Sequence, residues 1–317
     1  NLETVVSERG FDESYPGKRF LLESPPEALD GLQELGVDLV SLANNHVRDW
    51  LEPGLADTLS ALDARRIPHV GAGVDAAAAL EPAIVEARGL SVGALSFTSV
   101  EGSYVNDNYP EATESAPATV AAADQWMWQP RSWSYEGASW DVPLGDYRIG
   151  DVWQRFSAAE GGMSDEERAD AWAAMSTTYP ELQDWVARRG HGGAAYWSRT
   201  RAVSAIGELR PKVDLLVVQL HSGFQFQEAS SAATVEAAHA AIDAGADIVI
   251  AHHPHVLQGL QWYRGKLVVF SLGNFVFDQD FLSTFASCYL HTVWEAGELV
   301  EARLLPVELS GYEPLPV

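Results

Sequence analysis

The apolar run Ile248-Val249-Ile250-Ala251 leads straight into His252-His253-Pro254-His255, and no other stretch constrains the fold so tightly. Its first three residues are β-branched and nothing polar alternates with them, so the run reads as a short strand covered on both faces. Three imidazoles then fall within four positions at its C-terminal end, where open α/β sheets place their ligand sites. Pro254 fixes one backbone dihedral between the second and third rings and limits how they splay. A lone histidine in such a place more often hydrogen-bonds within a loop. Three together point to a metal site, because neutral imidazole is the commonest protein metal ligand.

The rest of the chain alternates helices and strands around this one. Ala28, Leu29, Leu32 and Leu35 share a face of a helix expected over Pro25 to Leu35, which Gly36 stops. A buried strand is expected over Val37 to Ala43, ending in Asn44-Asn45-His46, and a second helix over Pro53 to Arg66. Paired strands are read at Ile84 to Ala87 and Leu90 to Thr98. After a helix at Thr200 to Leu209, a strand at Val213 to Leu220 ends in His221-Ser222-Gly223, and an Ala-rich helix follows over Ala232 to Ala244. Two hairpins turn at Arg264-Gly265 and Ala296-Gly297.

Between Glu101 and Arg199 the rhythm stops, and eight of the eleven tryptophans lie there. Ser164 is the expected cap of a helix over Asp165 to Met175. The organisation read from this is a first part at 1–100, a Trp-rich insertion at 101–199 serving as a substrate cap, and a second part at 200–317. The fold class is α/β, a sandwich with mixed sheets.

Composition narrows the partners. With 45 acidic against 20 basic residues, the formal charge is −25. That argues against nucleic acid or an anionic membrane surface as the partner. A phosphate-rich or polyglutamate substrate would need local positive charge, most economically from metal ions. The single cysteine, Cys288, sits in an apolar strand-like run and reads as a buried thiol. No apolar run approaches the roughly 20 residues of a membrane span. The chain opens at Asn1 without a methionine, so the lack of a targeting segment says little. A cytoplasmic location is favoured, or a cell-surface one if an anchor lies upstream.

Polar clusters recur at strand ends: Glu3, Asn45-His46, His221, and His252-His253-His255. Neighbouring strands would bring them to one sheet edge. Carboxylate, amide oxygen and imidazole together suit a borderline or hard divalent ion such as Zn, Mn or Fe(II), and two ions could share the set.

These blocks, Asn1-Leu2-Glu3, Ser41-Leu42-Ala43-Asn44-Asn45-His46 with Asp49, His221-Ser222-Gly223, Ala251 to Gln258, and Ser271-Leu272-Gly273-Asn274-Phe275-Val276-Phe277-Asp278, resemble the CapA family, named for poly-γ-glutamate capsule synthesis. Their order and spacing match over most of the chain outside the insertion. The family resembles calcineurin-like metallophosphoesterases, so the resemblance implies a four-layer αββα sandwich with a site for two divalent ions, Mn, Zn, Fe or Ca. Carried over motif by motif, Glu3 stands where a bridging carboxylate is expected and Asn45 at the amide ligand. His46 stands at the histidine that contacts the reacting group. His221, His253 and His255 stand at the remaining metal-binding histidines. Spacing leaves open whether His252 or His253 is the ligand. With His253 in that role, His252 is a second candidate for acid–base work. The chain departs from the pattern in three ways. An early strand whose Gly-Asp pair gives a metal ligand is absent, so either the sequence starts late or one metal position is weakened, Ser222 replaces a tryptophan and is expected to open space beside the metals, and the Trp-rich insertion is unusual.

A dinuclear site of this kind can make a hydroxide for hydrolysis of a phosphoester or amide, including a polyglutamyl one. It can also hold a carboxylate while a neighbouring carbon loses and regains its proton, which is epimerisation. Some CapA-like proteins of ribosomal and lasso-peptide pathways look like peptide epimerases. A Trp-lined insertion suits an apolar peptide end, so the expectation leans to a peptide substrate and epimerisation, with His46 and His252 as the bases. Hydrolysis, or a non-catalytic role in capsule assembly or peptide binding, are the alternatives. Candidate substrate contacts are Arg48, Trp126, Trp128, Trp133, Trp140 and Ser222. Arg264 and His191 are weaker ones.

Overall fold

The computed structural model describes residues 1–15, 18, 20–100, 131–135, 138–142, 162–164, 166–167, 170–172, 185–279, 282–310 and 313–317. The N-terminal part runs β1 (Val5–Val6), β2 (Glu23–Ser24), α1 (Ala28–Glu34), β3 (Val40–Ser41), α2 (Leu51–Arg65), β4 (His69–Val70), β5 (Ala72–Gly73), α3 (Ala76–Ala79), β6 (Ala83–Ala87) and β7 (Leu90–Thr98). A hairpin of β8 (Arg131–Tyr135) and β9 (Ala138–Val142) follows, then β10 (Gly193–Ala194), α4 (Arg199–Leu209), β11 (Leu215–His221), α5 (Ala232–Ala244) and β12 (Ile248–His252). The chain closes with β13 (Leu260–Tyr263), β14 (Lys266–Val269), β15 (Ala286–Glu295), β16 (Glu298–Ser310) and β17 (Glu313–Pro316).

The central sheet has six strands in the order β13-β14-β12-β11-β7-β6. Its four inner strands are parallel and its two edges antiparallel, each edge the first arm of a hairpin. Parallel inner strands must be covered on both faces, and strand periodicity shows how. Leu216, Val218 and Leu220 of β11 join Val249, Ala251 and Val268 against Ile206, Leu209, Ala238 and Ala241 of α4 and α5. The alternate residues, Ile248, Leu267 and Val269, face Leu290, Trp294 and Leu299 of the β15-β16-β17 sheet. A third core joins α1 and α2 to the short strands through Val6, Leu29, Val40, Leu42, Leu55 and Leu62. The result is the α/β sandwich that the alternation of elements implied, its central sheet mixed and its smaller sheets either parallel or antiparallel.

Local chemistry sets the boundaries. The Ser231 hydroxyl accepts the Thr234 N–H at 3.1 Å and caps α5, whose Ala-rich body has high helix propensity and ends at Gly245, φ +121°. Three two-residue hairpin turns, Arg88-Gly89, Arg264-Gly265 and Ala296-Gly297, carry positive φ at both positions, the twist that matches a right-handed strand pair. The Ser164 cap expected from sequence is reciprocal. Its hydroxyl accepts the Glu167 N–H at 3.3 Å and its own N–H donates to the Glu167 carboxylate at 2.7 Å.

Two expectations need revision. The strand expected over Val37 to Ala43 pairs only at Val40–Ser41, parallel to His69–Val70, because the chain after Leu42 folds into the turn that presents Asn45 and His46. Residues 185–198, assigned by composition to the insertion, are built into the body. Gly193 and Ala194 pair with Gly73 and Ala72, the Thr98 N–H donates to the Ala195 carbonyl at 2.8 Å, and Trp185, Val186 and Tyr196 belong to the α1–α2 core. The tryptophan density there reflects core packing. Trp126 and Trp128 lie outside the described residues. Trp133 and Trp140 are register partners across β8 and β9. No helix among the described residues is long and apolar enough to cross a membrane.

Candidate metal centre

Strand register assembles the site. His221 is the register partner of both Thr98 and His252, so the last residues of β7, β11 and β12 form one row at the C-terminal edge of the parallel strands. Side chains alternate along a strand, which puts His221 and His252 on the face away from α4 and α5. Glu3 arrives from the other half of the molecule. The Leu2 N–H donates to the Ser41 carbonyl at 2.8 Å, and the Asn44 amide donates to the Leu2 carbonyl at 2.8 Å. Asn44 also accepts the His46 N–H at 3.0 Å, closing an Asx turn that leaves Asn45 and His46 pointing inward. In the loop after β12, His253 and His255 take positive φ, +99° and +59°, unusual for side chains of their size. The loop is pinned by the Ser222 N–H on the His252 carbonyl at 3.0 Å and the Phe226 N–H on the Pro254 carbonyl at 2.8 Å. Strain of this kind persists only where the surroundings over-determine the backbone, and it clusters at functional sites.

The side chains converge. His221 Nε2 lies 2.8 Å from Asn45 Oδ1, 3.2 Å from His253 Nδ1 and 3.3 Å from Glu3 Oε1. His255 Nε2 lies 3.8 Å from the same Glu3 oxygen, and ligand atoms of Glu3, His253 and His255 all fall within 4.8 Å of one another. One imidazole nitrogen carries at most one proton, so it cannot satisfy three neighbours by hydrogen bonding. Glu3 Oε1, Asn45 Nδ2, His252 Nε2 and His253 Nε2 are buried without a hydrogen bond. Buried polar groups left this way are costly. A divalent cation among these donors would relieve the crowding, and carboxylate, amide and imidazole are the donor types such an ion takes. The residues present therefore fit a metal.

The electrostatics agree. Burial holds His252 and His253 well below the ordinary histidine range, and it lowers His221 against the opposing pull of Glu3. These rings are neutral near pH 7, the form that binds metal. Burial works against charge on Glu3, but His221 and His255, with His46 behind them, outweigh it and keep the carboxyl well below its usual range. The His255 ring is oriented from outside by Asn274, whose Oδ1 lies 2.8 Å from Nδ1, so Nε2 is the nitrogen directed at Glu3.

His46 stands beside the cluster with a different partner. Its Nδ1 lies 2.7 Å from Asp49 Oδ2, and both side chains are buried. A carboxylate at Nδ1 holds the proton there and leaves Nε2 for chemistry. Asp49 also accepts the Leu22 N–H at 2.7 Å and a close contact from Lys18.

The structure brings Glu3, Asn45, His46, His221, His252, His253 and His255, the residues singled out in the sequence, into one neighbourhood. Sequence reasoning misplaced others. Arg48 is buried, donating to Glu52 and, at 2.8 Å, to the Gly192 carbonyl. Ser222 does not open space. Its hydroxyl is buried between Ser99 Oγ at 2.6 Å and Thr234 Oγ1 at 2.8 Å. Arg264 pairs with Asp243 at 2.9 Å on the surface, and the His191 backbone pairs with Arg188. Asn274 and Asp49 lay inside quoted motifs without an assigned role. Lys18 carried no signal in the sequence.

An α/β sandwich with a buried Glu/His cluster across its strand ends defines a class of protein suited to divalent-metal chemistry. The chain belongs to the bacterial capsule synthesis protein family PGA_cap, whose model matches residues 1–279, as the motif resemblance implied. It is 23% identical over 301 residues to the PGA biosynthesis protein CapA of Bacillus subtilis, covering 95% of this chain and 58% of that one. It is 26% identical to the capsule biosynthesis protein CapA of Bacillus anthracis, covering 95% and 54%. A probable polyglutamine synthesis accessory protein of Mycobacterium tuberculosis is 25% identical over 98% of this chain and 65% of its own length. The chain thus spans 54–65% of the length of these relatives. Among solved structures, a putative 5'-nucleotidase from Staphylococcus aureus in complex with alpha-ketoglutarate is 13% identical, covering 94% of this chain and 44% of that one, TM-score 0.42. A hypothetical protein from Thermus thermophilus is 15% identical, covering 89% and 81%, TM-score 0.37.

Proposed function

We propose that the chain is a metal-dependent acid–base enzyme of this family that acts on a peptide-like substrate, with a glutamyl polymer as the first candidate, and that it hydrolyses an amide bond. The observation carrying this reading is the placement of one oriented imidazole, His46 on Asp49, beside a buried Glu/His cluster. Glu3, Asn45, His221, His253 and His255 would hold the divalent metal, two ions in this reading. Such ions supply a hydroxide at neutral pH and a positive seat for a carbonyl or carboxylate oxygen. In a chain of charge −25, that seat is also what would draw an anionic substrate in. His46, its Nδ1 proton held on Asp49, takes a proton from the attacking water at Nε2 and delivers it to the departing nitrogen as the C–N bond breaks. The names of the relatives, PGA biosynthesis and polyglutamine synthesis, support a glutamyl substrate.

The test is release of new amino ends from poly-γ-glutamate and short γ-glutamyl peptides by the metal-loaded chain, with His46→Ala beside it. Release in the parent and none in a variant that keeps its metal supports hydrolysis. Equal release from both would remove His46 from the mechanism.

One observation favours epimerisation as a second reading. His252 is a further imidazole at the same strand end, neutral through burial, with Nε2 free of any hydrogen bond. With His46 on one face of a Cα and His252 on the other, a proton could leave one side and return to the other. The space expected at Ser222 no longer supports this reading, because that hydroxyl is enclosed. Deuterium appearing at Cα in heavy water without cleavage would establish epimerisation. Cleavage without exchange would dismiss it.

A further inference from the structure

Lys18 is a buried cation next to the site. Its side chain is 1% exposed. Its ammonium contacts Asp49 Oδ1 closely and donates to the Asn45 main-chain carbonyl at 2.6 Å, and the Trp185 ring centroid lies 5.3 Å away. Asp49 and Asn45 are the two residues through which the 44–49 turn serves the site. Asp49 holds His46 Nδ1, and Asn45 Oδ1 reaches His221. The loop carrying Lys18 wraps the same residue twice more, with the Leu22 N–H on Asp49 Oδ2 and the Tyr15 N–H on the Asp49 carbonyl, each at 2.7 Å.

Deepening the reading of His46 as the proton carrier, on which it rests, we infer that Lys18 is a positioning residue. One ammonium fixes the Asp49 carboxylate and the Asn45 peptide together, and thereby sets both the tautomer of His46 and the seat of the Asn45 amide. The physical case rests on geometry and charge. Asp49 offers two oxygens to a lysine, an imidazole and a peptide N–H, and a carboxylate held from three directions cannot rotate to release Nδ1. Without the ammonium, Oδ1 loses its partner and the carboxylate is free to turn. His46 then loses the acceptor that keeps its proton on Nδ1, and the tautomer is no longer chosen for it. The Asn45 carbonyl loses its donor in the same event, and the peptide that aims the amide at His221 is loosened. Groups that orient metal ligands from outside in this way typically carry about 10–100-fold in metal affinity or activity.

The experiment compares the full chain with Lys18→Met and Lys18→Arg by nitrogen-15 NMR of the imidazoles, using His46→Ala to assign His46, and by competition of each protein for Zn against a chelator. The parent is expected to show a single His46 tautomer protonated at Nδ1. Lys18→Met should show mixed tautomers at His46 and roughly 10–100-fold weaker Zn retention. Lys18→Arg keeps a cation on Asp49 but cannot place one compact ammonium on both acceptors, so it should keep the tautomer and still lose Zn affinity. A Lys18→Met protein with the parental His46 signals would overturn the inference. Should that variant not fold, Lys18→Arg decides, since parental Zn affinity in a folded Lys18→Arg protein would overturn the claim on Asn45. None of these readouts needs turnover. Failure to find a substrate would count against the proposed reaction and leave the role of Lys18 to be judged separately.

Discussion

Two buried polar groups meet at the strand ends, and they differ in how they are balanced. In the Lys18–Asp49–His46 group each charge has a partner: ammonium on carboxylate, carboxylate on imidazole and peptide N–H. In the Glu3–His221–His253–His255 group one imidazole nitrogen is crowded by three neighbours, and buried nitrogen and oxygen atoms make no hydrogen bond. The first group is complete within the protein. The second leaves donors that a divalent cation would satisfy. A protein can tolerate a buried ion pair that closes on itself, and it keeps an unclosed one where binding closes it. The contrast separates the part that would orient a proton from the part that would hold a metal.

The sharpest break between them is His46→Ala. It should lower kcat by roughly 10²–10⁴-fold, the usual worth of a positioned acid–base group, while metal content stays parental. Elemental analysis alongside turnover checks it, and loss of metal with the activity would merge the two groups into one.

Next in size is Lys18→Met. Removing one member of a buried pair leaves the Asp49 charge uncompensated and should cost about 3–5 kcal/mol of folding stability, read by chemical denaturation. A cost under about 1 kcal/mol, as for an exposed pair, would contradict the closed-group description.

Asn274→Ala removes the group that orients His255 from outside and should weaken metal binding about 10–100-fold without unfolding the chain. Chelator competition measures it.

The smallest effect is that of mild acid. His252 and His253 sit below the ordinary histidine value in the folded state, so as pH falls through about 6.5 the unfolded chain takes up protons first and stability declines. Glu3 acts in the same sense lower down, its contribution being full above about pH 4.3 and lost below it. Metal retention should fall in the same direction, because protonated imidazole cannot bind. Melting temperature followed from about pH 7.5 to 5 across that histidine value tests it. A protein that grows more stable on acidification would contradict the neutral-imidazole cluster.

Much of this was written in local patterns. The β11 and β12 strands, the Ala-rich α5 with its Ser231 cap and the two-residue turns closed by glycine follow from short-range chemistry. The histidines were found because a strand end is a place as well as a pattern. What escaped was the contact that has no period. Lys18 meets partners 27 and 31 residues away from within a polar loop, and nothing in that loop marks one lysine as buried. Arg48 next to the motif invited a substrate role, but its Nη1 is held by Glu52 and the Gly192 carbonyl. Ser222 looked like room where a large residue was expected, and hydroxyls from Ser99 and Thr234 close on it. The tryptophans at 185 and 197 read as a substrate cap by density, whereas both are core.

The most direct test of the metal centre is the metal content of the purified chain, with His253→Ala and His255→Ala beside it. Bound divalent metal in the parent, about two equivalents for a dinuclear site, reduced or lost in both variants, is the expected result. A folded parent that holds no metal and takes up none from added Mn, Zn or Ca would contradict the cation-dependent cluster, and with it the proposed reaction.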